Sequence, residues 1–389
     1  MAVYDVAVVG AGPAGSAAAR TCALAGFSTC IIDKSHFPRQ KLCGGLLTLR
    51  AKKIYDRVFE RKLEEVILHE SHSAELLSGD SAVLKLSHAA PICFTDRILF
   101  DEFLLKQAVQ AGAHAITGVA VKHVDTKANT LVLSDGTQIQ YKYLIGCDGV
   151  HSTIAHALWG QPLNLKHAAL GLELDVPLTD TNYSPDNPQV FFGKVNWGYG
   201  WIFPKGDKLC LGMAALPHKN SDLRKCFHDF LLNHIGYIPK NKTQGHWLPY
   251  CDFKRHAGKG NVMLCGDAAG LVDPITGEGI AYAIHSGYLA AMAITASFGD
   301  AKAAQAAYRK EYKRIVSKLK ITAKLSLLIY SKLSRKLFLR ALPHSERFGK
   351  LHLDLMADNI SYPAYKREIL KELGLLITRK LTRNKRLFK

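Results

Sequence analysis

The sequence predicts an α/β protein: a doubly wound dinucleotide-binding unit, interrupted by a mainly antiparallel β module and followed by a helical C-terminus. Three observations carry this. The chain opens with a strand, a glycine turn, a helix and a second strand in "YDVAVVGAGPAGSAAARTCALAGFSTCIID". Over residues 166–250 its character changes to short strand-like runs, aromatics and turn clusters such as "TDTNYSPDNP", before a buried strand resumes in "NVMLCGDAAG". Beyond residue 301, basic and apolar residues mix at helical spacing.

At 389 residues with 48% hydrophobic content the chain has enough apolar surface for two or more domains and excludes a disordered class. The formal charge is +18, but residues 302–389 alone hold 23 Lys and Arg against 6 Asp and Glu, so the basicity belongs to that segment. Nine cysteines with no CxxC pair and no zinc-ligand spacing imply a reduced, cytoplasmic chain without a metal site. No signal peptide is expected, because the N-terminus enters an apolar strand without a basic leader. The uncharged stretch from Gly279 to Gly299 has the length of a membrane span, yet its Ala, Gly, Ser and His content fits a buried helix better.

The elements can be justified in order. Gly10, Gly12 and Gly15 form GxGxxG between strand and helix, with Pro13 and Ala14 inside the turn. The first glycine allows the turn, the second lets backbone approach a pyrophosphate at the helix N-terminus, and the third permits close helix packing. Asp33 ends the second strand 18 residues beyond Gly15, where a carboxylate can accept from ribose hydroxyls. "RILFDEFLLKQAVQAG" from Arg97 has helical apolar spacing, and "LVLSDGTQI" holds an Asp135-Gly136 hairpin turn. "LIGCDGVHS" contains Asp148 and Gly149, and "LCGDAAGLVDPITGEGI" contains Gly266, Asp267, Pro274, Gly277, Glu278, Gly279 and Ile280.

Together these segments resemble the p-hydroxybenzoate hydroxylase-type flavoproteins, which implies a Rossmann-like domain and FAD. In that resemblance Asp267 contacts the ribityl or pyrophosphate part, the glycines after Pro274 bring a helix N-terminus to the flavin ring, and Arg97 contacts FAD; Lys34 and Val121 join the expected cofactor contacts. Within this class, "FPRQKLCGG" with Arg39, Cys43, Gly44 and Gly45, and "YGWIFPKGDKLCLG" with Tyr199, Trp201, Phe203 and Pro204, resemble the geranylgeranyl reductase family, whose members reduce carbon-carbon double bonds of isoprenoid chains. Ala214 departs from the family pattern, which usually has a glycine there, and this bears on pocket shape. The resemblance covers about residues 1–300.

It implies that Cys43 lies beside the flavin and that the four residues of the aromatic signature line the substrate. An unactivated alkene cannot hold negative charge, so hydride from reduced flavin must arrive with or after a proton. Cys43 reads as donor of that proton, as cavity lining or as a small buried hydrophobe. NAD(P)H visiting the flavin, or a redox protein, would supply electrons, since no second GxGxxG unit is present.

The domains expected are residues 1–75, 96–165 and 252–300 for FAD, 76–95 and 166–251 for an isoprenoid or other apolar small molecule, and 301–389 as a basic helical segment. In that segment Leu370, Leu373, Ile377, Leu381 and Phe388 recur at helical spacing. A basic amphipathic surface of this kind rests on anionic lipid, at the inner face of a membrane, or belongs to a packed helical subdomain with a solvated face. Nucleic acid is not an expected partner. Two other functions are consistent with the residues: a flavin monooxygenase or halogenase acting on an aromatic, and a non-catalytic flavin-holding protein.

Overall fold

A computed structural model describes residues 1–374 apart from 80, 88–89, 161–162, 241–242, 255, 333, 342–344 and 373. Leu373, Ile377, Leu381 and Phe388 of the C-terminal pattern lie outside the described residues.

The first layer is an eight-stranded sheet built on Ala2–Val9. This strand pairs in parallel with Thr29–Asp33 on one side and Gln138–Gly146 on the other, and His114–Thr117 and Val262–Leu264 extend the parallel array outward. Val6, Ala7, Val8, Ile31, Ile32, Leu144, Ile145, Met263 and Leu264 are all fully buried, as expected for parallel strands covered on both faces. The Asp135-Gly136 turn does close a hairpin, Thr130–Leu133 against Gln138–Gly146. The uncharged stretch becomes the helix Ile280–Ala296, laid directly on the helix Pro13–Leu24. A Cβ on Gly287 would sit 2.0 Å from the Ala14 carbonyl oxygen, and one on Gly15 would sit 1.7 Å from that of Gly10. Among the described residues no helix is long and apolar enough to cross a membrane.

The second layer is a seven-stranded sheet in the order Gln244–Pro249, Ala168–Pro177, Lys208–Ala215, Gly198–Lys205, Gln189–Phe192, Ala74–Ser78, Ser81–Leu86. All its pairings are antiparallel except Gln189–Phe192 with Ala74–Ser78. Alternation assigns its faces. Phe191, Ile202, Leu211 and Met213 pack on Phe227 and Phe230 of the helix Leu223–Ile235, whereas Trp201, Phe203, Cys210 and Ala214 share the opposite face. The strand Ile92–Phe94, grouped with this module on sequence grounds, pairs instead with Leu46–Leu47 and His69–Ser71 in a separate three-stranded sheet.

The C-terminal helices Ala301–Tyr330, Arg335–Ala341 and Glu346–Met356 form a core with the far edge of the second sheet, joining Leu84, Leu86 and Phe192 to Phe338, Phe348 and Leu355. One face of these helices is thus buried, and Tyr330 donates to the Ile275 carbonyl at 3.1 Å, inside the loop predicted to meet the flavin.

Candidate active site

A cavity of about 640 Å³ runs between the two layers. Of the residues singled out in the sequence, Gly10, Gly12, Pro13, Ala14, Asp33, Lys34, Arg39, Cys43, Gly44, Gly45, Arg97, Val121, Asp148, Gly149, Gly266, Asp267, Gly277, Glu278, Gly279, Ile280, Tyr199, Trp201 and Phe203 line it. Three stand outside the lining. Gly15 serves the close approach to the Gly10 carbonyl described above. Pro204 is one residue out of phase with Tyr199, Trp201 and Phe203, so the pleat turns it to the other face. Pro274 is buried within its loop.

At the glycine turn the helix Pro13–Leu24 starts at Gly12 with no side-chain cap and no acidic residue in its first turn. Its leading amides are therefore available to an anion. Asp33 accepts from the Ala11 amide at 2.8 Å and the Ser35 amide at 2.9 Å, which ties the turn to the end of the second strand. Asp148 accepts from the Ser152 hydroxyl and the Ile154 amide at the start of the helix Thr153–Trp159, and burial pushes its carboxyl up.

Two arginines converge on one carboxylate. Arg97 donates to Asp101 at 2.6 and 2.7 Å, one helical turn along, and Arg39 lies 2.9 Å from the same group. Asp101 has no exposed surface. Burial opposes the Arg97 charge, but Asp101 and then Cys43 outweigh it, and the guanidinium pKa rises. Asp267, pushed up by burial, has no side-chain partner among the described residues and faces the cavity.

Cys43 is held through both its backbone polar groups and its sulfur. Its N–H donates to Glu173 at 3.1 Å, its carbonyl accepts from Lys205 Nζ at 3.0 Å, and its Sγ accepts from the Gly45 amide at 3.4 Å. Gly45 has φ +74°, and a Cβ there would fall 2.0 Å from the Thr95 carbonyl oxygen, so glycine is required twice over. Glu173 and Lys205 come from the second sheet and are buried; burial raises the Glu173 carboxyl, and its second oxygen has no partner among the described residues. Glu173, Asp175 and Cys210 bring ligand-type atoms within 4.8 Å of one another, but the Lys205 ammonium already supplies the positive charge at this cluster.

Facing this segment, Tyr199, Trp201 and Phe203 form a row with ring centroids 5.9 and 6.1 Å apart. Tyr199 donates to the Thr276 carbonyl, fastening the sheet to the loop that leads into the helix Ile280–Ala296. The Glu278 carboxylate is taken by Arg50 at 2.6 Å and by Thr48.

Sequence reasoning missed several lining residues. Lys41 Nζ lies 2.9 Å from His246 Nε2, and burial, then Lys41, pushes His246 down to about 3. Gly349, His352, Leu353 and Met356 of the helix Glu346–Met356 wall the cavity from the C-terminal segment. Arg50 donates to the Leu355 carbonyl and Lys53 to that of Ala357 at 3.0 Å, which fixes the wall to the first domain. The apolar spacing of Phe348, Leu351 and Leu355 was the available signal for that helix.

The residues present fit FAD. The uncapped helix N-terminus suits its pyrophosphate, Asp33 and Asp267 offer carboxylates to its hydroxyls, and the glycines around Glu278 give a flat ring access to backbone. Fold and site thus define an FAD-dependent oxidoreductase of the p-hydroxybenzoate hydroxylase type.

The comparisons narrow the class. Residues 3–190 match the family described as FAD binding domain. A geranylgeranyl diphosphate reductase of Rhodobacter capsulatus is 29% identical over 82% of this chain and 83% of its own. Digeranylgeranylglycerophospholipid reductase 3 of Methanosphaera stadtmanae is 31% identical over 74% of this chain and 76% of its own. A crystal structure described as geranylgeranyl bacteriochlorophyll reductase-like, from Thermoplasma acidophilum, superposes with TM-score 0.79 at 23% identity, covering 96% of this chain and all of that one. The chain belongs to the geranylgeranyl reductase family of FAD-dependent oxidoreductases.

Proposed function

We propose that the protein reduces carbon-carbon double bonds in an isoprenoid lipid. The observation that carries the reading is the placement of Cys43 between the expected flavin contacts and the aromatic row, where the cavity continues into a chamber lined by Leu76, Ile92, Val190, Phe192, Ile275, Leu353 and Met356. Burial in such a chamber holds an alkyl chain at about 0.8 kcal/mol per CH₂. The names of the two reductase relatives support the same substrate class.

Reduced FAD supplies the electron pair and one hydrogen to the double bond. The chain's own residues supply the rest. Cys43 Sγ gives its proton to the second carbon: the S–H bond breaks, a C–H bond forms, and the thiolate left behind is met by the Gly45 amide and the Arg97 guanidinium before it regains a proton from water. The faces of Tyr199 and Trp201 stabilise positive charge that develops on the alkene. NAD(P)H or a redox protein renews the electrons, and the basic C-terminal helices rest on the anionic membrane surface that holds the substrate.

The test is anaerobic. Holoprotein reduced with dithionite is mixed with a panel of prenyl lipids, and flavin absorbance is followed alongside lipid mass. Reoxidation by lipid, with gain of two hydrogens, is expected. Reoxidation by oxygen alone, with hydroxylation or halogenation of an aromatic, overturns the proposal.

A further inference from the structure

His352 places a polar hydrogen in an apolar wall. Its Nδ1 lies 3.0 Å from the Tyr365 hydroxyl. Tyr365 is buried, and burial raises its pKa, so the phenol keeps its proton. No other acceptor takes that hydroxyl among the described residues, and reversing the bond would strand a buried O–H. Tyr365 therefore donates, Nδ1 accepts, and the proton of the neutral ring sits on Nε2. Burial favours that neutral ring.

Nε2 has no protein partner among the described residues, and His352 lines the cavity beside Leu353 and Met356. Trp201 Nε1 is sealed from the cavity, next to Cys210. The Tyr199 hydroxyl is committed to Thr276. The charges that act on the ring are Asp273 and Arg50, and Arg50 is already paired with Glu278. Among the described residues a phosphate at this wall would find a carboxylate and no free cation, whereas an uncharged oxygen would find a donor.

We propose that His352 Nε2–H donates a hydrogen bond to a neutral acceptor oxygen, a carbonyl or an ether, on the substrate whose apolar chain fills the chamber. The inference rests on the prenyl-substrate reading and adds where such a substrate carries its oxygen. His352 is thus a specificity residue.

The experiment measures binding to the holoprotein through quenching of tryptophan fluorescence, with flavin absorbance confirming that each variant is folded and loaded. Four probes are compared: a prenylated quinone, a digeranylgeranyl glycerol ether, squalene and geranylgeranyl diphosphate. His352→Leu is expected to weaken the quinone, the ether or both by about tenfold, with squalene and the diphosphate changed less than about twofold; which of the two suffers identifies carbonyl or ether. His352→Gln, which keeps an N–H donor, restores most of the loss. An equal effect on all probes, or a loss confined to the diphosphate, overturns the assignment. If no prenyl probe binds the wild-type protein, the substrate reading falls and this inference with it; binding unaltered in His352→Leu removes only the latter.

Discussion

Lys205 Nζ meets the Cys43 carbonyl oxygen at 3.0 Å, a contact that reaches from the second sheet to the segment, 162 positions earlier, that lines the cavity. Lys205 is buried, and burial works against its charge, while Cys210, Glu173 and Asp175 together hold the pKa above the ordinary lysine value. Lys205→Met removes the ion pair to Asp175 at 3.5 Å and the nearby positive charge that favours the buried Glu173 carboxylate, and leaving buried polar groups unsatisfied in this way costs about 1–3 kcal/mol. A drop in the urea midpoint is expected, together with altered alkylation of Cys43 followed by peptide mass spectrometry. Adding Glu173→Gln removes the stranded charge, so the double variant should lose less than the two single variants combined. Additive losses with Cys43 alkylation unchanged would contradict the coupling.

The parts of this site that are legible in the sequence are local. Gly10, Gly12 and Asp33 are found because strand, turn and strand lie within one short stretch, and each residue type has a geometric duty there. The Cys43 clamp is not legible, because Glu173 follows 130 positions later and nothing in a strand of alternating residues marks which polar side chain turns inward to meet a distant peptide. Lys41 and His246 are 205 positions apart and hide for the same reason. The C-terminal wall was obscured by composition. Its surplus of Lys and Arg drew attention to the solvent face, while Phe348, Leu351 and Leu355 carried the buried stripe. Pro204 shows the opposite error, since a motif read as a unit ignores the alternation that sends neighbours to different faces.

Asp101 is the shared anchor of Arg39 and Arg97. Asp101→Asn keeps the volume and some hydrogen bonding but leaves the buried Arg97 and the half-buried Arg39 facing one cavity without their shared carboxylate. Each of them should then depend on the FAD pyrophosphate for compensation. The variant is expected to be strongly destabilised without FAD, by about 3 kcal/mol or more, and to recover part of that loss when FAD is added. Urea titrations with and without FAD check this. A variant as stable as the wild type without flavin would show that Asp101 does not compensate the pair.

The low His246 pKa sets a pH dependence. Its folded value of about 3 lies below the ordinary 6.5, so on acidification the unfolded chain takes the proton first. This contribution to stability is complete above about pH 6.5 and is lost progressively as pH falls toward about 3. His285, lowered to about 4 by burial and then by Arg57 and Lys318, adds in the same direction. The urea midpoint of the FAD-free protein should fall between about pH 7 and pH 5, and His246→Gln should flatten that slope while leaving the His285 share. An unchanged slope in the variant would mean that His246 titrates normally.

The helix Ala301–Tyr330 buries Tyr308, Tyr312, Ile315 and Leu319 and leaves Lys313, Lys320 and Lys324 exposed. At 100° per residue those three lysines fall within one narrow stripe, so they can meet a flat surface together. Each basic side chain near an anionic bilayer contributes about 1 kcal/mol, and the attraction decays within a Debye length. Reversing all three to Glu should therefore reduce sedimentation with phosphatidylserine vesicles by at least about tenfold and leave phosphatidylcholine vesicles unaffected. The flavin spectrum should not change, because none of the three lines the cavity. Raised salt should reproduce the loss in the wild-type protein. If the reversed variant sediments like the wild type, the stripe is only a solvated face, and the substrate must reach the chamber by another route.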